Sequence, residues 1–348
     1  MSNTDRLIQL TKVTTICFAV LSALSCAARA DGEDLKPLYE AAKSAGETTV
    51  SVYLPAAASA QPIFDAFERD FPGIKVVPTD LFGAALSARL EAEAASGKVQ
   101  ADVIASGDLD FPGLASKGYL APFKPAGASA LANEYIGAGQ QWIVWELVPI
   151  GPAVNTGQLD KPEPHSWADL LDPSLKGKMV MTSAVTLSTS PMGLVQALQG
   201  GAIDDKWVAA LAAQQPAVNS STSAVMLAVA QGQYAMAPFM ALSVLENSRS
   251  KGAPVGFWFL KEGNPAVPFS GGLMKSAPHP NAGKLFLSWL LTDSAAKVIA
   301  EKTSAISTKP GAAKPAGMPA NQKLFVLTGD AMQAALKSWF DGGAKNFK

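Results

Sequence analysis

Apolar and polar positions alternate between two periods along this chain, and each change of period marks an element. Residues 35–45 carry apolar side chains at helical spacing, and after Gly46-Glu47 the run 48–54 reads as a buried strand stopped by Pro55. Residues 58–70 predict a helix with Ile63, Phe64 and Phe67 on one face, ended by Phe71-Pro72-Gly73 before a strand at 74–77. That order is a β-α-β unit, the repeating unit of open α/β sheets. A second helix over 81–96 and a strand over 101–105 continue it.

The second half alternates in the same way. Residues 145–155 read as one long strand. A short helix at 166–171 has Ser166 as N-cap and Asp169 three residues on. A strand at 179–181 leads through a polar loop, 182–190, to a helix starting near Pro191, where proline suits the first turn. Beyond lie a helix at 222–231, strands at 234–237, 255–259 and 268–274, and a long helix over 279–300. Residues 308–321 are rich in Pro, Ala, Gly and Lys and read as a surface segment, and 332–340 as a closing amphipathic helix.

The N-terminus changes the compartment. Arg6 and Lys12 flank the start, residues 13–26 are an apolar run, and Ala28-Arg29-Ala30 fits a small-x-small cleavage site, so residues 1–30 read as a signal peptide. The run is shorter than the roughly 20 residues a spanning helix needs. Cys17 and Cys26 both fall inside it, so the mature chain of 318 residues holds no disulfide and no thiolate. Ala23 stands where a lipidation motif wants Leu, which favours a soluble periplasmic product. Losing Asp5, Arg6, Lys12 and Arg29 leaves 25 basic and 28 acidic residues, with no basic block to suit nucleic acid. So long a mature chain exceeds what one compact core usually serves, and two lobes are expected.

Catalytic patterns are missing. The chain has no Gly-x-Ser-x-Gly elbow, no phosphate-binding Gly-x-x-x-x-Gly-Lys-Ser/Thr loop and no His-Glu-x-x-His helix, and it has two histidines, His165 and His279. No catalytic residue, cofactor or resident metal is expected.

Several motifs then occur in a telling order: Ala101-Asp102-Val103; Lys117-Gly118-Tyr119-Leu120-Ala121-Pro122-Phe123; Asn155-Thr156; Pro164-His165-Ser166-Trp167-Ala168-Asp169-Leu170-Leu171-Asp172-Pro173; and His279-Pro280-Asn281-Ala282 leading an apolar helix. This order resembles the solute-binding proteins of bacterial ABC importers, specifically the family 1 type that includes ferric-iron, polyamine, thiamine and phosphonate or phosphate-ester receptors. The resemblance implies a type II periplasmic-binding-protein fold, with two α/β lobes joined by two crossing strands and a ligand cleft between them. It places lobe 1 at 31–145 and 272–315, lobe 2 at 146–271, and a C-terminal segment packed on a lobe at 316–348. It also implies a monomer that closes on a small solute and hands it to an inner-membrane permease. A ligand sensor for a signalling partner and a hydrolase or transferase on the same lobes remain alternatives.

For the solute, hydroxyls and aromatics stand out. Ser183, Thr186, Ser188, Thr189 and Ser190 cluster ahead of one helix, and Asn219, Ser220, Ser221, Thr222 and Ser223 ahead of another. Helix N-termini offer unpaired N–H groups and a positive dipole end, a cradle for phosphonate, phosphate ester or carboxylate; simple N-capping is the alternative use. Tyr53, Trp142, Trp145, Phe239 and Trp258 sit at strand ends or crossings, where aromatic walls suit an organic solute. The loop Ser106-Gly107-Asp108 faces ligand in the resembled family, and Asp108 or Glu146 would suit an amine, which keeps a polyamine or other organic cation open. Where iron receptors of the family carry two adjacent tyrosines, this chain reads Phe239-Met240, and neither side chain offers ferric iron an oxygen. Ferric iron without that pair is the remaining alternative. The expected ligand contacts are therefore Tyr53, Ser106, Asp108, Trp145, Glu146, Thr186, Ser188, Thr189, Ser221, Thr222 and Phe239.

Overall fold

The computed structural model describes residues 35–158 and 165–347. The expected signal peptide and Pro164 of the second-half motif lie outside these residues. The chain opens with α1 (Lys36–Ser44), β1 (Thr49–Leu54), α2 (Ala57–Asp70), β2 (Lys75–Asp80), α3 (Gly83–Ser96), β3 (Val103–Gly107) and α4 (Phe111–Ser116). Asp80 closes the first unit: its carboxylate accepts the N–H groups of Ala56 and Ala57 at 3.1 and 3.3 Å, where Ala56 takes the left-handed φ of 52°.

Then comes β4 (Ile143–Asn155), thirteen residues long and buried along almost its whole length. It is followed by β5 (Val180–Thr182), α5 (Thr189–Gln199), α6 (Asp205–Ala213), β6 (Ala217–Asn219), α7 (Thr222–Ala230), β7 (Met236–Ala241), α8 (Leu242–Arg249), β8 (Val255–Phe257) and β9 (Asn264–Leu273). The chain ends through α9 (Pro280–Trp289), α10 (Asp293–Val298), β10 (Ile306–Ser307), β11 (Leu324–Phe325) and α11 (Gly329–Asp341).

Two sheets of the same plan share β4. In lobe 1 the order is β2-β1-β3-β9-β4, with β1, β2 and β3 parallel and β9 antiparallel to β3 and β4. In lobe 2 the order is β6-β5-β7-β4-β8. There β5 and β6 are parallel, Met179 bridges to Met236 in parallel, and Ala153 of β4 pairs with both Ala237 and Phe257, which puts β7 and β8 on opposite edges of β4. An α/β fold with two lobes and two crossing strands, the type II arrangement, is what the sequence motifs implied.

The cores separate accordingly. One is built from α1, α2, β1, β3, α9 and the first part of β4, and includes Phe64, Phe67, Phe286 and Trp289. A second joins Ile150 and Val154 of β4 to Trp167, Leu194, Trp207 and Phe239. Met332, Leu336 and Trp339 of α11 belong to this second core, while the Gly329 N–H at the start of α11 donates to Asp108 of lobe 1.

Several boundaries differ from the sequence expectation. The strand expected at 234–237 runs 236–241, because the Ala235 and Met236 N–H groups reach Lys178 O and Gln233 N reaches back to Ala228 O, leaving Tyr234 in a turn. The helix expected over 279–300 breaks after Trp289 and restarts at Asp293, where the Thr292 hydroxyl accepts from Ala295 N. The short helix at 166–171 is a 3-10 turn with a full Ser166–Asp169 capping box.

Candidate ligand cleft between the lobes

In open α/β sheets ligands bind beyond the C-terminal ends of parallel strands, where strand order reverses. Lobe 1 reverses between β1 and β3, and lobe 2 between β5 and β7. The register brings both places to the crossing strands: the last residue of β3, Gly107, pairs with Phe269, and the last of β7, Ala241, pairs with Ile150. Between those pairs lie Glu146 opposite Phe269 and Val148 opposite Val267. Gly107, Glu146, Val267 and Phe269 are partly exposed in strands that are otherwise almost wholly buried. Residues paired across an antiparallel ladder share a face, so this row is the candidate floor of the cleft.

A register shift between Val144 and Glu146 leaves Trp145 as the extra residue of a β-bulge. Trp145 packs into the lobe 1 core, and its indole N–H takes no partner from the described residues. The Glu146 carboxyl makes no hydrogen bond or ion pair with the described residues, and burial alone pushes it up to about 8 although part of the residue stays open to solvent. The groups paired with it, Phe269 and Ser307, are uncharged.

Lobe 1 turns its other expected contacts inward. Tyr53 is 2% exposed and donates to Glu93 Oε1 at 2.5 Å; burial first, and then that hydrogen bond, raise its phenol above the ordinary value. Ser106 donates to Asp110 Oδ2 at 2.5 Å. Asp108 accepts from Trp142 Nε1 at 3.1 Å, Ser270 Oγ at 2.5 Å and the Gly329 backbone N–H. The amine clamp expected at Asp108 is thus corrected: three internal donors occupy the carboxylate, which ties β3, β9 and α11 together. Tyr53 and Ser106 are corrected on the same ground.

Lobe 2 keeps its hydroxyls at the edge. Thr189 at the start of α5 and Thr222 at the start of α7 meet Oγ1 to Oγ1 at 2.6 Å, so two helix N-termini converge. At α5 little is left to offer: Ser190 N–H goes to Thr182 Oγ1, residue 191 is proline, and Ser188 Oγ donates to Ser183 O. At α7 Ser221 Oγ caps Ala224 N–H at 3.2 Å, while the N–H groups of Thr222 and Ser223 take no partner from the described residues. Thr186 is exposed in the loop before α5. Phe239 is corrected as a ligand wall: it is 1% exposed and stacks on Trp167 with ring centroids 5.6 Å apart. No charged residue occurs from Met179 to Ile203 or from Trp207 to Leu245.

Two rim residues escaped sequence reasoning. Phe82, just beyond β2, is 64% exposed, and Leu187, just beyond β5, is 61% exposed. Each reads as ordinary core until its strand is placed, so no signal in the sequence marks it.

The chain matches the family of bacterial extracellular solute-binding proteins over residues 62–326. It belongs to that family. This solute-binding protein is therefore a periplasmic receptor of an ABC importer. No curated protein matches it in sequence. Among solved structures it is similar to the substrate-binding protein of an ABC transporter from Agrobacterium tumefaciens, with 17% identity, TM-score 0.69, and 87% of this chain and 95% of that one covered. It is similar also to iron-bound HitA from Pseudomonas aeruginosa, with 22% identity, TM-score 0.67 and coverage of 84% and 99%. A third is the periplasmic binding protein AfuA of Actinobacillus pleuropneumoniae with fructose-6-phosphate bound, with 19% identity, TM-score 0.64 and coverage of 84% and 98%. Iron recurs in the names of the solved neighbours, as ferric in several. At such identities the likeness is one of fold.

Proposed function

We propose that this receptor captures a small organic solute by its anionic end, a phosphonate, phosphate ester or carboxylate, and delivers it to the importer's permease after the lobes close. The observation that carries the reading is the contact between Thr189 and Thr222, which brings two helix N-termini together on an edge without charged side chains. An anion there meets backbone N–H groups and hydroxyls, with no carboxylate to repel it. The α7 side supplies most of the free donors. Contacts to both lobes supply the differential affinity that closure requires.

Ferric iron is the second reading, favoured by the names of several neighbours. Among the described residues no group of three His, Cys, Asp or Glu is able to hold a metal, and Tyr234 is the one tyrosine of lobe 2. Iron would then arrive inside an oxygen-rich chelating anion, seated at the same helix N-termini. Calorimetric titration of the mature protein with alkyl phosphonates, phosphate esters, dicarboxylates, ferric citrate and a diamine tests both. The anion reading expects tight binding of at least one iron-free anion, weakened by Thr222→Ala. Binding of ferric citrate alone, with a visible charge-transfer band, transfers the case to iron, and binding of the diamine alone ends the anion reading.

A further inference from the structure

Among the described residues Glu146 is the one carboxylate in the row along the crossing strands, and its carboxyl takes no partner there. Its neighbours in the ladder are a phenyl ring and a serine whose hydroxyl already accepts from Lys309 N–H. The remaining carboxylates near the lobe 1 edge are engaged: Asp80 holds the start of α2, Asp108 ties β3 to α11, and Asp110 accepts from Ser106. Across the cleft, the lobe 2 edge offers dipoles and hydroxyls and no fixed charge. A solute spanning the cleft from the α7 N-terminus to the floor therefore meets donors at one end and a lone carboxyl at the other.

We propose that Glu146 is a subsite for a cationic nitrogen, and that the solute is a zwitterion carrying an amine or quaternary ammonium beside its anionic group. The anionic half of this inference rests on the proposed function above, and the cationic half on Glu146 alone. Phe269, partly exposed and directly opposite Glu146, provides an aromatic surface of the kind that accompanies ammonium groups. In the empty protein burial favours the neutral form of the carboxyl. An arriving ammonium converts it to a carboxylate, the ion pair forms between that carboxylate and the ligand's nitrogen, and the displaced proton leaves to solvent.

The test uses mature protein with 3-aminopropylphosphonate, propylphosphonate and 1,3-diaminopropane as probes, titrated calorimetrically against wild type and Glu146→Gln. The expected result is a preference of at least about tenfold for the amino compound over propylphosphonate in wild type, about 1.4 kcal/mol. The preference is lost in Glu146→Gln. Titration of wild type in two buffers of different ionisation enthalpy gives a readout that needs no variant: the amino compound releases close to one more proton than propylphosphonate at neutral pH. Equal affinity and equal proton release for the two phosphonates overturns the Glu146 subsite while leaving the anion seat standing. Diamine binding that depends on Glu146, with neither phosphonate bound, leaves the subsite standing and removes the anion seat. Binding of none of the three at millimolar concentration overturns both.

Discussion

The two lobes share one strand plan and meet at one hinge, yet their cleft edges are chemically opposite. Lobe 1 places Asp80, Asp108 and Asp110 beside the C-terminal ends of its strands, and each is occupied by a donor from its own lobe or from α11. Lobe 2 places hydroxyls there and no charged residue, and at its best helix N-terminus, that of α7, two N–H groups take no partner from the described residues. The same secondary-structure device thus serves two ends. At α2 the helix start is closed by a side chain of the fold, and at α7 it remains available to a ligand.

The largest test of this contrast is Asp108→Ala. If the lobe 1 carboxylates are structural, the change strands an indole N–H, a serine hydroxyl and a backbone N–H, and chemical denaturation should show a loss of roughly 3–5 kcal/mol. Unchanged stability would return Asp108 to the list of ligand contacts.

Next comes Glu146, the exception among the acidic groups. Its carboxyl is raised to about 8 in the folded protein from the ordinary carboxyl value of about 4.5. The folded state therefore holds a proton that the unfolded state has lost between those values. Its contribution is whole below about pH 4.5 and is lost as pH rises toward about 8, by at most about 1.4 kcal/mol per pH unit. The melting temperature of the empty wild type should fall more steeply between pH 5 and 8 than that of Glu146→Gln, and parallel curves would place the carboxyl in solvent.

Smaller effects separate the two helix starts. Thr222→Ala should weaken anion binding by roughly 0.5–1.5 kcal/mol in calorimetry and leave the melting point of the empty protein nearly unchanged. Asp80→Ala should do the reverse, costing roughly 0.5–1 kcal/mol of stability with ligand affinity preserved. Exchanged outcomes would reverse the assignment of roles to the lobes.

Much of this molecule is determined by the order of its residues alone. Apolar runs of strand length, helical faces such as Ile63, Phe64 and Phe67, and stops such as Pro55 and Gly73 place the β-α-β units, because these signals are local and act within a few residues of one another. The Ser166–Asp169 capping box is local in the same sense and forms as read. The motif order, together with the match over residues 62–326, carries the family.

What only the tertiary structure decides is which side chains are left over. Tyr53, Asp108 and Phe239 sit where a sequence reading sees a ligand contact, and each is consumed by a partner far along the chain: Glu93 for Tyr53, Gly329 for Asp108, Trp167 for Phe239. Ser106 is consumed from nearer by, by Asp110, a contact that depends on the turn after β3. Glu146 shows the converse. Its type and neighbours in sequence say nothing of its isolation, which arises because the two strands that flank it place uncharged Phe269 and Ser307 opposite it and no described residue reaches its carboxyl. Hydrogen-bond satisfaction is a property of pairs brought together by folding, and a linear pattern records the members of such pairs without recording who meets whom.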